Sequence, residues 1–168
     1  MTTPYPRLQI VSNTGPFIAL EKLPDGPEFI RKLYKKIIVP SKVIEELILK
    51  HSSEEAYFKQ YPIQDLLEIK AVVIDKTIPG IEKLDDGEMY AISLANSLHI
   101  GLLVEDRDAI RTAFNAGIST STIALEVVEA YKQRVIAKIE ALEKLQHLRN
   151  GNRFDDANHM RFIAFLDK

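Results

Sequence analysis

Leu8-Gln9-Ile10-Val11-Ser12-Asn13-Thr14-Gly15-Pro16 reads as a buried strand that stops at a polar amide and turns at once into a helix. Pro16 falls at an early helical position, where its missing N–H costs little. Phe17, Ile18 and Leu20 carry the apolar content on to Leu23, and Pro24-Asp25-Gly26-Pro27 breaks it. The same unit then recurs. Ile37-Ile38-Val39 is a second short strand, closed by Pro40, and Ser41 is a natural N-cap for a helix bearing Val43, Ile44, Leu47 and Ile48. Ala71-Val72-Val73-Ile74 reads as a third strand after a polar and aromatic stretch of short helices over 51–69. Leu84-Asp85-Asp86-Gly87 leads into a helix, and 102–105 is a fourth strand. A helix over 107–116 stops at Gly117, a short fifth strand starts at Ile118, and Ser121 or Thr122 caps a helix over 123–134.

Strands alternating with helices predict an α/β fold, three layers with a doubly wound and mostly parallel sheet of about five strands. Crossovers in such a sheet are right-handed, and ligands sit beyond the carboxyl ends of its strands at the switch point. The expected division is a domain over 1–135 and a helical extension over 136–168, packed on the same domain. In that extension Ile136, Ile139, Leu142, Leu145 and Leu148 form an apolar stripe, and Gly151-Asn152 separates it from a last aromatic-rich helix.

Composition narrows the function. The chain has 168 residues, a size that buries a core without covalent staples, and no cysteine, which removes disulfides and thiolate metal sites. The net charge of −2 argues against nonspecific coating of nucleic acid. No signal-like start and no membrane-length apolar run is visible, so a cytoplasmic protein with no membrane partner is expected.

The remaining signal is a set of acids at element boundaries. Glu45 and Glu46 fall in the first turns of the helix after strand two, Glu88 falls in the first turn of its helix, and Glu105 and Asp106 end strand four. Acids favour helix N-termini through the macrodipole alone. Several of them converging on one switch-point crevice would suit a hard divalent cation. Period-two alternation predicts that Glu105 and Asp106 point opposite ways while the strand persists.

Four blocks carry a family resemblance: Val11-Ser12-Asn13-Thr14-Gly15-Pro16, Ile38-Val39-Pro40-Ser41-Lys42-Val43-Ile44-Glu45-Glu46-Leu47, Asp86-Gly87-Glu88-Met89-Tyr90-Ala91-Ile92 and Leu102-Leu103-Val104-Glu105-Asp106-Arg107. In order and spacing, over about 8–130, they resemble the PIN domain, in a branch of prokaryotic proteins related to VapC-type toxins. The resemblance implies a Mg²⁺- or Mn²⁺-dependent endoribonuclease, a toxin of a toxin–antitoxin pair, with RNA as substrate, an antitoxin protein as partner and a homodimer as assembly. It implies Asn13, Glu46, Glu88 and Asp106 as catalytic and metal-binding residues, with Glu105 competing for the last place. Thr14 and Thr122 would steady the site from behind.

Asn13 departs from the family's pattern, which has an acid there. Its oxygen can bind a hard cation but brings no charge, so three carboxylates and one amide predict weaker metal binding. The alternative is a catalytically weak or inactive PIN-like module that binds RNA or protein. Aspartyl-phosphate chemistry on a similar sheet would need an aspartate where Asn13 stands. The basic cluster Arg31-Lys32-Lys35-Lys36 is a candidate phosphate patch, with Lys35, Lys36 and Arg107 as substrate contacts and Tyr34 as a base-stacking ring; the alternative is a solvated helix face, with Tyr34 beside Phe29, Ile30 and Leu33 on the apolar side. Arg111 is expected to pair with Asp108. His51, His99, His147 and His159 show no metal-ligand spacing.

Overall fold

A computed structural model describes residues 4–168. Its sheet has five parallel strands: β1 (Ile10–Ser12), β2 (Ile37–Pro40), β3 (Leu67–Lys70), β4 (Leu102–Leu103) and β5 (Thr120–Ser121). They lie in the order β3-β2-β1-β4-β5. Val11 of the central strand is opposite Ile38 on one side and Leu102 on the other. The chain leaves β1 towards β2 and later returns to its other flank as β4, so the switch point lies at the end of β1, where Asn13 stands.

Alternation along these strands sorts side chains into two layers. Ile10, Ile37, Val39 and Leu103 point into one buried cluster, and Val11, Ile38, Leu102 and Val104 point into the other. The first layer is built by α1 (Thr14–Glu21), α2 (Gly26–Leu33), α3 (Ser41–Ile48), α4 (Glu54–Gln60) and α7 (Ile123–Lys132). The second is built by α5 (Asp86–Leu98) and α6 (Arg107–Asn115). The three-layer α/β/α expectation holds, and the sheet is wholly parallel.

Two more helices close the chain, α8 (Lys138–Asn150) and α9 (Asp156–Leu166). Ala141, Leu145, Leu148 and Leu166 enter the first cluster beside residues of α1 and α7. The expected stripe is only partly right. Ile136, Leu145 and Leu148 are buried, whereas Ile139 is 62% exposed. A strict three-residue spacing walks around a helix of 3.6 residues per turn, and the real face is Ala141-Leu145-Leu148, four and three apart. Lys144 lies on that face, buried over the Phe29 ring with Nζ on Asp25, the N-cap of α2.

The third strand is displaced from its expected place. It forms at Leu67–Lys70, in register with Ile37–Pro40, and the ladder ends because β2 itself ends at Pro40 and turns into α3. Ala71–Ile74 runs on as a strap, with Val72 and Ile74 packed on the second cluster and Val73 87% exposed. Strands four and five are shorter than expected. The Ile118 N–H is used to close α6, on the Ala113 carbonyl at 3.0 Å. Ser41 begins α3 rather than capping it; Pro40 holds the cap position and no side chain caps that end.

Candidate active site

Beyond the carboxyl ends of β1 and β4 lies a cleft of about 590 Å³. Asn13, Glu46, Glu88, Glu105 and Asp106 all line it, as does Thr14. Each arrives by a separate route. Asn13 is the N-cap of α1, extended and 6% exposed, with no cap bond from its side chain. Its Oδ1 is buried and has no hydrogen-bond partner. A buried amide oxygen left unpaired costs about 1–3 kcal/mol, so a polar ligand facing it would recover that loss.

Glu46 lies in the second turn of α3, not its first, and no acid occupies that helix's first turn. Its Oε2 accepts a short hydrogen bond from the Thr14 hydroxyl. Thr14 is thereby tied to one of the acids that line the cleft. The carboxylate rests against the start of α5, where Gly87 makes room: a Cβ built there would stand 2.6 Å from Oε2 and 2.7 Å from Oε1.

Glu88 forms a reciprocal capping box with Asp85. The Glu88 N–H donates to Asp85 Oδ1 at 2.9 Å, and the Asp85 N–H donates to Glu88 Oε2 at 3.3 Å. Burial, then the negative charges of Asp85, Asp106 and Glu46, hold the Glu88 carboxyl up to about 7, against the pull of the Asp85 N–H. The unfolded chain would release this proton near 4.5. Between those values the folded state binds more protons, so through this group stability is lost as pH rises. Denaturant titrations of the metal-free protein at about pH 5 and pH 8 should show that loss, and Glu88→Gln should reduce it. An unchanged difference between the two pH values in Glu88→Gln would refute this account.

Asp106 is the N-cap of α6, with Oδ1 accepting from the N–H groups of Asp108 and Ala109 at 2.9 and 3.0 Å. Glu105 turns inward, and its Oε1 accepts from the Ile123 N–H at the start of α7, 2.8 Å away. Burial raises the Glu105 carboxyl, against the Ile123 N–H and the charge of Arg153. Both acids line the cleft despite the alternation argument, because the ladder ends at Leu103 and frees the backbone before Glu105. Thr122 does not reach the cleft lining; it caps α7 through the Leu125 N–H at 3.2 Å, one residue before the amide that holds Glu105.

The expected substrate contacts lie elsewhere. Lys35 and Lys36 precede β2, at the amino end of a sheet whose cleft is at the carboxyl end, and Lys36 pairs with Glu68 at 2.7 Å. Arg31 is held by Asp65. Tyr34 is fully buried and accepts from Arg7 at 3.3 Å, so it offers no face to a base. Only Arg31 and Lys32 lie on α2; Tyr34 is its extended C-cap, and Lys35 and Lys36 fall in the link to β2. Arg107 is exposed and outside the cleft, and Arg111 pairs with Asp108 at 3.6 Å as expected. Three charged cleft residues escaped the sequence reading: Asp85, Lys50 and Arg153. The Asp85-x-x-Glu88 spacing is a legible capping-box signal. Arg153 sits on a turn whose docking no local pattern announces.

The donor set fits a hard divalent cation in chemistry: oxygen only, with an orphaned buried amide oxygen among carboxylates. As the side chains stand, no three His, Cys, Asp or Glu groups among the described residues are placed to share one ion. Each acid has turned one oxygen to an internal partner: Glu46 to Thr14, Glu88 to Asp85, Asp106 to the α6 amides. The second oxygen of each is not used in those bonds.

A switch-point cleft walled by carboxylates and an amide lies on this five-stranded parallel α/β/α sheet. The model of the PIN-domain family DUF3368 matches residues 9–166, and the chain belongs to that family. PIN domains generally depend on divalent metal ions and are associated with nucleic acid. The match runs through α8 and into α9, beyond the stretch where the sequence blocks lie. The fold is similar to that of a PilT N-terminus domain protein from the hyperthermophilic archaeon Sulfolobus solfataricus P2, with a TM-score of 0.50 and 19% identity over 69% of this chain and 87% of that one. No curated protein matches the chain in sequence. No helix among the described residues is long and apolar enough to cross a membrane.

Proposed function

We propose that this chain is a metal-dependent endoribonuclease, with Asn13 Oδ1, Glu46, Glu88 and Asp106 as the groups that hold Mg²⁺ or Mn²⁺. The observation that carries the reading is the buried, unpartnered Asn13 oxygen facing a cleft shared with three carboxylates. When bound, such an ion supplies charge against the developing phosphorane oxygens and makes water more acidic. The chain's own residues supply the rest. Thr14 fixes the Glu46 carboxylate, and the α6 amides fix Asp106. In the metal-free cleft the Glu88 carboxyl stands near 7, so a cation bound there would compete with its proton at neutral pH. Glu105, bound to α7, belongs to the wall and not to the set that holds the ion.

Asn13→Asp tests the reading. A fourth carboxylate at the end of β1 should tighten Mn²⁺ binding by calorimetry and raise RNA cleavage. If wild type binds no Mn²⁺ and cuts no RNA, and Asn13→Asp restores neither, the nuclease reading is wrong. The second reading, a PIN-like module that binds RNA or protein without cutting, is favoured by the missing fourth charge and by acids turned to internal partners. It requires RNA or partner binding that is indifferent to Mn²⁺.

The nuclease reading extends to a cytoplasmic toxin restrained by an antitoxin protein and acting as a homodimer. Exposed Ile69 and Val73, at and just beyond the β3 edge, are apolar surface of the kind that self-association would cover.

A further inference from the structure

The acid cleft has one wall that does not come from the α/β sandwich. Gly151-Asn152-Arg153 closes α8, with the N–H groups of Gly151, Asn152 and Arg153 returning to His147, Arg149 and Leu148 at 2.9, 3.0 and 3.0 Å. This turn is clamped on both sides. A Cβ at Gly151 would stand 2.7 Å from Lys22 Cγ, so only glycine lets the turn lie on the Lys22 stem at the end of α1. Phe154 packs on the first cluster and meets the Phe162 ring at 4.9 Å. The clamp brings Arg153 into the cleft lining with Asn13, Glu46, Glu88 and Asp106.

Arg153 has no ion pair among the described residues, and its Nε is buried without a hydrogen-bond partner. Burial raises the carboxyls of Glu105 and Glu21, and the charge of Arg153 opposes that rise at both. A guanidinium held half-buried in an acidic cleft keeps unfilled donor capacity for a planar or tetrahedral oxyanion. The acids repel an RNA phosphate, and a bound cation alone gives it one point of attachment. Arg153 offers the second, and exposed Lys50 stands on the same rim.

Resting on the nuclease reading, we propose that Arg153 is the cation that receives an RNA phosphate at this cleft, so that the turn between α8 and α9 completes the site. The helical extension then does more than cover the core: it carries a substrate contact that the strands and their helices do not provide.

The test uses the full chain, Mn²⁺ and a short fluorescein-labelled single-stranded RNA. Wild type, Arg153→Met and Arg153→Lys are compared by thermal melting, Mn²⁺ calorimetry, and kcat and KM between roughly 50 and 200 mM salt. Arg153→Met should melt and bind Mn²⁺ as wild type does. Its kcat/KM should fall at least about tenfold, as for loss of a charge-assisted bond. The slope of log(kcat/KM) against log salt should shrink by about 0.7, one phosphate contact on a single strand. Arg153→Lys should keep the slope and recover part of the rate.

Wild-type kcat/KM and slope in Arg153→Met would overturn the proposal, and so would loss of Mn²⁺ binding there, since Arg153 would then act on the acids. If Arg153→Met does not melt cooperatively, Arg153→Lys decides: a retained slope supports the contact, and a lost slope in a folded protein overturns it. A wild type that neither binds Mn²⁺ nor cuts removes the nuclease reading itself, and this proposal with it, before any variant is compared.

Discussion

Gly87→Ala is expected to lower RNA cleavage by about 10²-fold while leaving the protein as stable as before, or more so. The two halves of this expectation have separate causes. Gly87 is the second residue of α5 and is buried. Alanine in a helix is favoured over glycine by roughly 0.5–1 kcal/mol, so the helix itself gains. The new methyl would fall 2.6–2.9 Å from the three carboxylate atoms of Glu46. That carboxylate is the end of a flexible side chain and can move aside at little cost to the fold. It cannot move aside and also keep its place between Thr14 and the start of α5. A shift of about an ångström in a group that positions a reacting centre is enough to cost 10²-fold. Melting temperature, Mn²⁺ calorimetry and cleavage rate, measured on one preparation, check the prediction. Wild-type cleavage in a stable Gly87→Ala protein would mean that Glu46 is not placed by this contact, and the assignment of Glu46 to the metal set would weaken with it.

This substitution also discriminates between the readings of the cleft better than removal of an acid does. Glu46→Ala deletes a charge, so any change in RNA binding could follow from reduced repulsion. Gly87→Ala keeps every charge and changes only where one of them sits. A module that holds RNA without cutting has no need of that precision and should tolerate it.

The parts of this site that were legible in the sequence are those that depend on local chain. β1 is central and buried, so Ile10-Val11 before Ser12 reads as a short strand and the turn into a helix after Asn13 marks its end. Glu88 and Asp106 cap helices, and capping positions follow from neighbouring residues. The misplaced third strand shows where local reading fails. Leu67–Lys70 and Ala71–Ile74 are both short and partly apolar, and the choice between them was made by where β2 ends, which is a fact about another strand. Tyr34 is open to two readings for a related reason. It stands among lysines in the sequence, yet its ring follows Phe29, Ile30 and Leu33 into the core. Arg153 was invisible because it reaches the cleft only after α8 and α9 have docked, 140 residues after Asn13 along a chain of 168. Lys50 is close to Glu46 in sequence but beyond the end of α3, so helical periodicity carried no information about its side.

Glu126→Ala is expected to give the largest loss of stability of any single change in the polar residues. Glu126 is 1% exposed, on α7, and is a buried carboxylate with built partners. It accepts a short hydrogen bond from the Tyr5 hydroxyl and one from Arg7 Nη1 at 3.2 Å. Arg7 in turn donates to the Tyr34 hydroxyl and lies over the Tyr5 ring, 4.5 Å from its centroid. Burial, followed by the Glu126 charge, pushes the Tyr5 hydroxyl well above the usual phenol range. The segment before β1 is therefore tied to α7 through this carboxylate and through the Tyr5 N–H, which donates to Gln133 Oε1 at 3.1 Å. Removing the carboxylate takes one partner from the Arg7 guanidinium, which keeps the Tyr34 hydroxyl, and one from the Tyr5 hydroxyl. Loss of one partner from a buried pair costs about 3–5 kcal/mol, and the part of Arg7 that reaches water, with its remaining partner, places this case near the lower end. For a chain of this size that is a fall in Tm of roughly 6–12 °C. Glu126→Gln keeps an acceptor for Tyr5 and should lose less. Below its melting temperature Glu126→Ala should still bind Mn²⁺, because the network faces the segment preceding β1 while the candidate metal groups lie beyond its end. Thermal melts of the two variants, with amide exchange over residues 4–8, test this directly. A Glu126→Ala protein that melts with wild type would show that this carboxylate is dispensable and that the remaining contacts, among them the Tyr5 N–H on Gln133, hold the segment in place.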